Sequence, residues 1–155
     1  MNMDLQTIYF GMSLNEWVTL VHTHLCKQCD MHPFKIEPQD YAYDSYAAVI
    51  SIILANTTDN DILAALKDKQ SINKYIDLAH GAWSANYIHW KQIRGDAVGK
   101  NPKKTLNTHD RNDRATTSTD NLTEDDREMY QGTIKAIFSL LSKKLLEAGM
   151  QQLSI

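Results

Sequence analysis

A chain of 155 residues, 43% hydrophobic and 23% charged, has the size and composition of one ordinary globular domain. No apolar run reaches the roughly 18 residues that a membrane span requires, and the first residues lack the basic start and apolar core of a signal peptide. We therefore expect a cytoplasmic protein with no membrane contact. The net charge of −3 conceals a basic segment, since residues 91–114 carry +4. One basic segment suggests an anionic partner rather than general nucleic-acid binding, which needs a wider basic face.

Capping signals and apolar spacing predict three helices in the first part of the chain. Ser13 and Glu16 form a capping box in front of an apolar repeat, so a helix is expected over 14–29. Residues 40–55 are expected to form a buried helix, although the β-branched run within them would also suit a strand. A short helix is expected over 59–68, capped by Thr58 or Asp59.

A longer helix is expected over 72–93, ended by glycine at 95. Its buried face is predicted from side chains spaced alternately by three and four residues: Ile76, His80, Trp83, Tyr87 and Trp90. Residues 95–120 are polar and rich in Lys, Arg, Asn and Thr, and a connection of that length is usually functional or disordered. We expect a long, basic loop there.

The last helix is expected to begin after Thr123, with acidic residues in its first turn, and to stop at Gly149. Its predicted buried stripe consists of Tyr130, Ile134, Ile137, Leu141 and Leu145. The sequence as a whole thus predicts a single all-α domain, a compact bundle of about five helices with one long polar basic loop (95–120).

Histidines and cysteines at 22–32 have spacing that resembles a metal site. His22, Cys26 and Cys29 share one strip of the first predicted helix, and His32 follows it, which would provide four zinc ligands. Structural zinc sites usually take their second ligand pair from a distant segment, and the sequence offers none. We favour the cysteines as small buried apolar groups, and predict no metal and no cofactor.

Acidic and histidine side chains near 109 and 125 suggest an alternative, enzymatic function. A metal-dependent nucleotide hydrolase would use His109 and Asp110 with Asp125 and Asp126. However, a His-Asp pair is common by chance, and acidic residues in a first helical turn are already explained by the helix dipole. The sequence therefore favours a protein that is not an enzyme.

The stretch LAHGAWSANYIHW (78–90), with the basic residues after it, is the strongest indication of a binding site. Aromatic faces combined with cations are how proteins hold nucleotides. The change from core to site is expected at the turn between Trp83 and Tyr87. The predicted ligand contacts are stacking by Trp83, Tyr87 and Trp90, phosphate contacts from Arg94, Arg111 and Arg114, and polar contacts from His80 and Asn86.

The stretch DLAHGAWSANYIHW (77–90) is followed by a long polar loop and then by NLTEDDREMYQGTIKAIFSLL (121–141). Over residues 74–141 this arrangement resembles the ryanodine-receptor repeat domain. The family has a helix with a histidine, a tryptophan three residues on and a second tryptophan downstream, matched here by His80, Trp83 and Trp90. The family's entry to its second helix is matched by Leu122, Asp125, Asp126, Arg127 and Tyr130. His89 stands where the family has a glycine before the second tryptophan, and the proline-containing approach to the second helix is missing. The resemblance implies a non-catalytic module that binds an adenine-nucleotide-like ligand, and it brings no catalytic residues.

The sequence therefore predicts a non-enzymatic binding module for an anionic nucleotide-like molecule, such as a nucleotide or an ADP-ribose derivative. Such a module would act as a sensor, or as a viral or phage protein that sequesters a nucleotide immune signal. A homo-oligomer is expected from apolar helix faces left over in a bundle of this size. Besides the hydrolase, the remaining alternative is a protein-interaction module that docks an acidic partner through the basic loop.

Overall fold

The computed structural model describes residues 4–28, 40–95 and 109–153. These residues form a small antiparallel hairpin followed by helices, which confirms the all-α prediction. The strands are β1 (Ile8–Tyr9) and β2 (Met12–Ser13). The described α-helices are α1 (Leu14–Gln28), α2 (Tyr41–Ala55), α3 (Asp59–Lys67), α4 (Ile76–Arg94), α5 (Arg111–Thr116) and α6 (Glu124–Leu153). None of these helices is both long and apolar enough to cross a bilayer.

The hairpin, which the sequence analysis did not predict, closes the amino-terminal end of α1. Its two turn residues, Phe10 and Gly11, have φ angles of 50° and 83°, as a two-residue hairpin turn with right-handed strand twist requires. The indole Nε1 of Trp17 donates a 2.8 Å hydrogen bond to the Tyr9 carbonyl, which ties the hairpin to the helix.

The caps predicted for the first helices are confirmed. The Ser13 hydroxyl accepts from the Glu16 amide at 3.2 Å at the start of α1. Of the two candidate caps for α3, Thr58 is the one used, because it exchanges hydrogen bonds with Asp61 in a capping box. The β-branched run at 49–53 is helical, since Ile50 and Ile53 are fully buried and their packing outweighs their strand preference.

The helix expected over 72–93 is α4, which begins after a 3-10 turn at Lys69–Tyr75 and ends at Gly95 with φ 74°. All five side chains predicted for its buried face are less than one tenth exposed. α2 packs along α4, while α1 lies against both α2 and α6. α4 is therefore the central helix against which the other parts of the candidate site are placed.

The predicted loop at 95–120 needs correction in its second half. Residues 111–116 form α5, and Thr119–Asn121 form a 3-10 turn, so the described residues contain six α-helices rather than about five. Asp110 caps α5 by accepting from the Asp113 amide at 2.8 Å. Polar composition concealed this helix because its one deeply buried side chain is an arginine, Arg114. Residues 96–108 lie outside the described residues.

α6 follows its predicted cap but not its predicted end. The Thr123 hydroxyl accepts from the Asp126 amide at 3.1 Å, and four of the five predicted stripe residues are buried. The prediction was wrong for Leu145, which is 37% exposed because it lies in an open surface pocket beside Phe10 and Asp59 rather than in the core. It was also wrong for Gly149, since the helix continues to Leu153. A glycine lowers helix propensity by about 1 kcal/mol but does not by itself stop a helix.

Two substitutions on α6 test where the core lies. Ile137 is fully buried, so Ile137→Ala should lower the free energy of unfolding by about 2–5 kcal/mol through lost burial and a cavity. Leu146 is 61% exposed on the same helix, and Leu146→Ala should change it by no more than about 0.5 kcal/mol. Urea unfolding followed by circular dichroism measures both, and equal losses would contradict this placement of α6.

Candidate functional site

A cavity of about 180 Å³ lies where α2, α4, α5 and α6 meet. α4 contributes Trp83, α5 contributes Arg114, and α6 contributes Tyr130. Hydroxyl-bearing Ser45 and Tyr46 line it from α2, together with Thr133 from α6. One positive charge, several hydroxyl groups and aromatic walls thus surround a space large enough for a small ion or the head group of a larger molecule.

Arg114 is the unusual residue of this cavity. It is only 8% exposed, yet no ion pair joins it to a carboxylate in the described part of the chain. Its guanidinium lies 4.0 Å from the Trp83 ring centroid, and Nη1 donates to the Met129 sulfur at 3.5 Å. Nε has no hydrogen-bond partner among the described residues. A guanidinium is always charged and a buried charge is normally paired, so the described residues leave this arginine without the anion that its position calls for.

Tyr130 brings a second unused donor to the same cavity. Its hydroxyl is buried and has no hydrogen-bond partner among the described residues. Burial raises the pKa of Tyr130 well above its ordinary value; the negative charge of Asp126 adds to that rise, and the positive charge of Arg114 opposes it. The hydroxyl therefore stays protonated at neutral pH, as a donor beside a cation.

Side chains of α4 hold the backbone of α5 in place. His80 Nε2 lies 2.6 Å from the Arg114 carbonyl oxygen, and Lys91 Nζ donates to Asn112 Oδ1 at 2.6 Å. Asn86 donates to Ser45 Oγ at 3.3 Å and so contacts a residue of the cavity wall. The Arg114 carbonyl and the Asn112 side chain are thus held by the central helix, which fixes the place of α5 beside the cavity.

Two groups of the protein already lie against the indole of Trp83, namely the Tyr87 ring and the Arg114 guanidinium. Tyr87 lies nearly parallel to it, with ring centroids 5.5 Å apart and an interplanar angle of 13°. The Arg114 guanidinium also lies over the indole. A ligand ring could stack on Trp83 only by displacing one of these neighbours, so Trp83 acts as a support for Arg114.

A second aromatic and cationic cluster surrounds Tyr41 at the start of α2. The ring of Trp90 meets that of Tyr41 edge-on at 6.0 Å, and its Nε1 donates to Asp44 at 3.0 Å. Arg94 lies over the Trp90 ring at 5.2 Å, and Arg111 lies over the Tyr41 ring at 4.8 Å. Burial raises the pKa of Tyr41, and the nearby charges of Arg111 and Arg114 oppose that rise. Tyr41 therefore lies within reach of the charges of both this cluster and the cavity.

The structure divides the eight predicted contact residues among three places. Trp83 and Arg114 line the cavity. His80 and Asn86 do not line it, but each hydrogen-bonds to a residue that does. Tyr87 stacks behind Trp83, while Trp90, Arg94 and Arg111 belong to the second cluster. The predicted boundary between core and site differs from the structure, because Trp83 reaches the cavity whereas the three site residues placed after it, Asn86, Tyr87 and Trp90, are buried with internal partners.

The cavity residues on α2 and α6 were not predicted from the sequence as part of a site. Tyr130 was predicted only as part of a buried stripe, and it is buried, but its hydroxyl faces no partner. No motif or spacing in the sequence marks Ser45, Tyr46 or Thr133 as a binding residue. The tyrosine-rich start of α2 was the one hint available, since a helix that is otherwise apolar carries three tyrosines there.

The residues of the hydrolase alternative have structural roles. His109 Nδ1 lies 2.5 Å from Asp126 Oδ2, and the His109 amide donates to Asp126 Oδ1 at 3.1 Å. Asp110 is the cap of α5. Burial alone would raise the pKa of Asp126, but hydrogen bonds from His109 and Thr123 outweigh it and hold the pKa below its ordinary value.

The described residues contain no group of three or more His, Cys, Asp or Glu side chains arranged to hold a metal. Of the zinc-like set, Cys26 is buried beside His22, with Sγ 3.7 Å from the His22 Nε2, which confirms the apolar placement expected of that cysteine. His24 contacts Gln28 instead, with Nε2 3.1 Å from the amide nitrogen. Cys29 and His32 lie outside the described residues.

Comparisons of this chain with protein-family models, curated proteins and solved structures find no match. The resemblance to the ryanodine-receptor repeat domain stays a prediction.

Two tyrosine substitutions test whether the Tyr130 hydroxyl is unpaired. Tyr130→Phe should raise the free energy of unfolding by about 1 kcal/mol, because it removes a buried donor that has no acceptor. Tyr43→Phe is the matched control, since the buried Tyr43 donates to Asn15, and it should lower that free energy by about 1 kcal/mol. Equal destabilisation in urea unfolding would show that Tyr130 has an acceptor in the free protein.

Asp126 should make stability depend on pH in the acid range. Because its pKa is lower in the folded protein, its ionised form stabilises the fold above about pH 4, and this stabilisation is lost as pH falls through the folded-state pKa. Asp126→Asn should therefore cost about 1–3 kcal/mol at neutral pH and progressively less in acid.

Urea unfolding at several pH values checks this expectation. Glu128→Gln, an exposed carboxylate on the same helix, is the control and should cost little at any pH. If the free energy of unfolding lost in Asp126→Asn stays constant down to acid pH, the charge of Asp126 does not have the stabilising role given to it.

Proposed function

We propose that this protein is a non-enzymatic binding module for an anionic small molecule, and that Arg114 recognises the anion. One observation carries the proposal: a buried guanidinium beside a cavity, with no carboxylate partner among the described residues. An anion in the cavity would accept hydrogen bonds from Arg114 and Tyr130 at once. Charge-assisted hydrogen bonds of this kind are about twice as strong as neutral ones.

The size of the cavity indicates which part of a ligand enters it. Sites that enclose whole drug-sized molecules measure about 300–1,000 Å³, and this cavity measures about 180 Å³. A phosphate or carboxylate group fits that space, whereas a whole nucleotide does not. The proposal is therefore recognition of the anionic end of the ligand.

A nucleotide or an ADP-ribose derivative remains our proposed ligand class, in an orientation that places the phosphate first. The nucleoside would lie outside the cavity along Tyr41, towards the cluster that contains Trp90, Arg94 and Arg111. The cations there, and the partly exposed ring of Tyr41, suit a second phosphate or a base. A sensor and a protein that sequesters a nucleotide signal are both compatible with such a site.

The hydrolase alternative receives less support because its residues are engaged within the fold. Asp126 and His109 bond to each other, and Asp110 caps a helix, so metal binding there would break contacts that hold α5 and α6. The protein-interaction alternative rests on residues 95–120, of which 96–108 lie outside the described residues. Neither alternative has an observation comparable to the unpaired Arg114.

Arg114→Met tests the proposal through opposite effects on stability and binding. Methionine keeps the contacts with Trp83 and removes the buried charge, so the free energy of unfolding should stay the same or rise by about 1–2 kcal/mol. Binding of anions should be lost. The measurement is thermal shift and tryptophan fluorescence with sulfate, phosphate, AMP and ADP-ribose, and with adenosine as the uncharged comparison.

Arg94→Met is the matched control, since Arg94 also lies over a tryptophan but is exposed and outside the cavity. The wild type and Arg94→Met should both show saturable stabilisation by sulfate and phosphate, which enter the cavity alone, and none by adenosine, with no product formed. Retained anion binding in Arg114→Met would overturn the proposal. Product formation that requires a divalent metal would favour the hydrolase.

A further inference from the structure

A chain of hydrogen bonds runs from a surface carboxylate on α4 to the backbone of Arg114. Thr119 Oγ1 lies 2.6 Å from Asp77 Oδ1 and 2.9 Å from His80 Nδ1. His80 Nε2 lies 2.6 Å from the Arg114 carbonyl oxygen. His80 is only 4% exposed, whereas Asp77 is exposed. The chain thus links solvent to the residue that recognises the anion.

The three hydrogen bonds of this chain need one proton more than an ionised Asp77, a Thr119 hydroxyl and a neutral His80 together supply. The Arg114 carbonyl can only accept, so His80 Nε2 must carry a hydrogen. An ionised Asp77 can only accept, so it takes the single hydroxyl hydrogen of Thr119. The Thr119 oxygen is then an acceptor for His80 Nδ1, which must carry a hydrogen too. All three bonds exist together only when His80 is an imidazolium, or when Asp77 itself holds the extra proton.

We infer that anion binding at the Arg114 cavity is coupled to uptake of one proton by His80 in the Asp77–Thr119–His80 chain, with His80 as a positioning residue for Arg114. This inference rests on the function proposed above. In the protonated form His80 adds a positive charge behind the cavity and completes the bonds that tie the 3-10 turn at Thr119–Asn121 to α4. In the deprotonated form Thr119 can turn to His80 Nδ1, and its bond to the exposed Asp77 is then lost. Anion affinity is therefore highest at low pH.

Charged and titratable groups of each neighbouring element face His80. On α4 itself the group is Asp77, which favours the imidazolium. Arg114 on α5 and Arg127 on α6, which donates to the Thr119 carbonyl at 2.8 Å, oppose it. The Tyr130 ring lies 5.7 Å from the imidazole. An anion in the cavity offsets the charge of Arg114, which is the physical basis of the coupling.

The first test needs no ligand. Nitrogen and carbon chemical shifts of the His80 ring distinguish the doubly protonated ring from each neutral tautomer. At one pH near the middle of the histidine range, the doubly protonated fraction should be larger in the wild type than in Asp77→Asn and Thr119→Val. Asp77→Asn changes an exposed side chain and should leave the fold intact. An equal fraction in all three proteins would overturn the inference.

The second test measures sulfate affinity between about pH 5.5 and pH 8, where histidine titrates and sulfate does not. One coupled proton predicts that the wild-type affinity falls by up to about tenfold per pH unit as pH rises. His80→Gln keeps a donor for the Arg114 carbonyl but cannot take up a proton, so it should bind sulfate with little pH dependence. His89→Gln, on the same helix, is the control and should retain the wild-type slope.

The outcomes separate the inference from the proposed function. Sulfate binding with the same affinity at every pH in the wild type overturns the coupling and leaves the proposed function standing. No sulfate binding at any pH overturns both. A slope that survives in His80→Gln assigns the proton to another group and also overturns the inference.

Discussion

The candidate site depends on one constraint, which is that the Arg114 guanidinium is buried over the Trp83 ring without a carboxylate partner among the described residues. Moving an ion out of water costs several kcal/mol in a real protein, even after relaxation. A desolvated cation–π contact returns about 2 kcal/mol, so the ring alone does not offset the cost. Under the proposed function, an anion in the cavity would offset part of the remaining penalty, and this difference would contribute to the binding free energy.

Because burial of the Arg114 charge is unfavourable, Arg114 stays in place only if other helices hold the backbone of α5. α5 has only six residues, too few for a helix that is stable by itself. Asp110 caps it, and α4 holds it through the bond from Lys91 to Asn112 and the contact of His80 with the Arg114 carbonyl. Because the stable central helix fixes α5, the guanidinium stays at the cavity in the free protein. Under the proposed function, a ligand would meet a charge already in position, which would lower the ordering cost of binding.

The helices were predictable because their signals are local. The helix starts were predicted from capping residues, each with a pattern of four residues: Ser13, Thr58 and Thr123. The buried face of each helix was predicted from the spacing of its apolar residues. The candidate site was only partly predictable, since its walls come from four helices that are distant in sequence. Arg114 could be recognised as an anion contact from its type, but Tyr130 showed only the spacing of a core residue. Polar composition suggested a loop where α5 forms, because a helix anchored by a buried arginine has no apolar periodicity.

The aromatic stretch of α4 has a different role from the one that its composition suggests. Aromatic rings next to cations are typical of proteins that stack bases, and the sequence analysis assigned the rings to the ligand. In the structure the pairs are internal, because Arg114 lies over Trp83, Arg94 over Trp90 and Arg111 over Tyr41. The rings orient the cations, and under the proposed function it is Arg114 that meets the anion. Under the proposed function, selectivity then arises mainly from the charge and shape of the anionic group. Recognition of a particular base would require displacing an arginine from its ring, which weakens the same contacts that attract the phosphate.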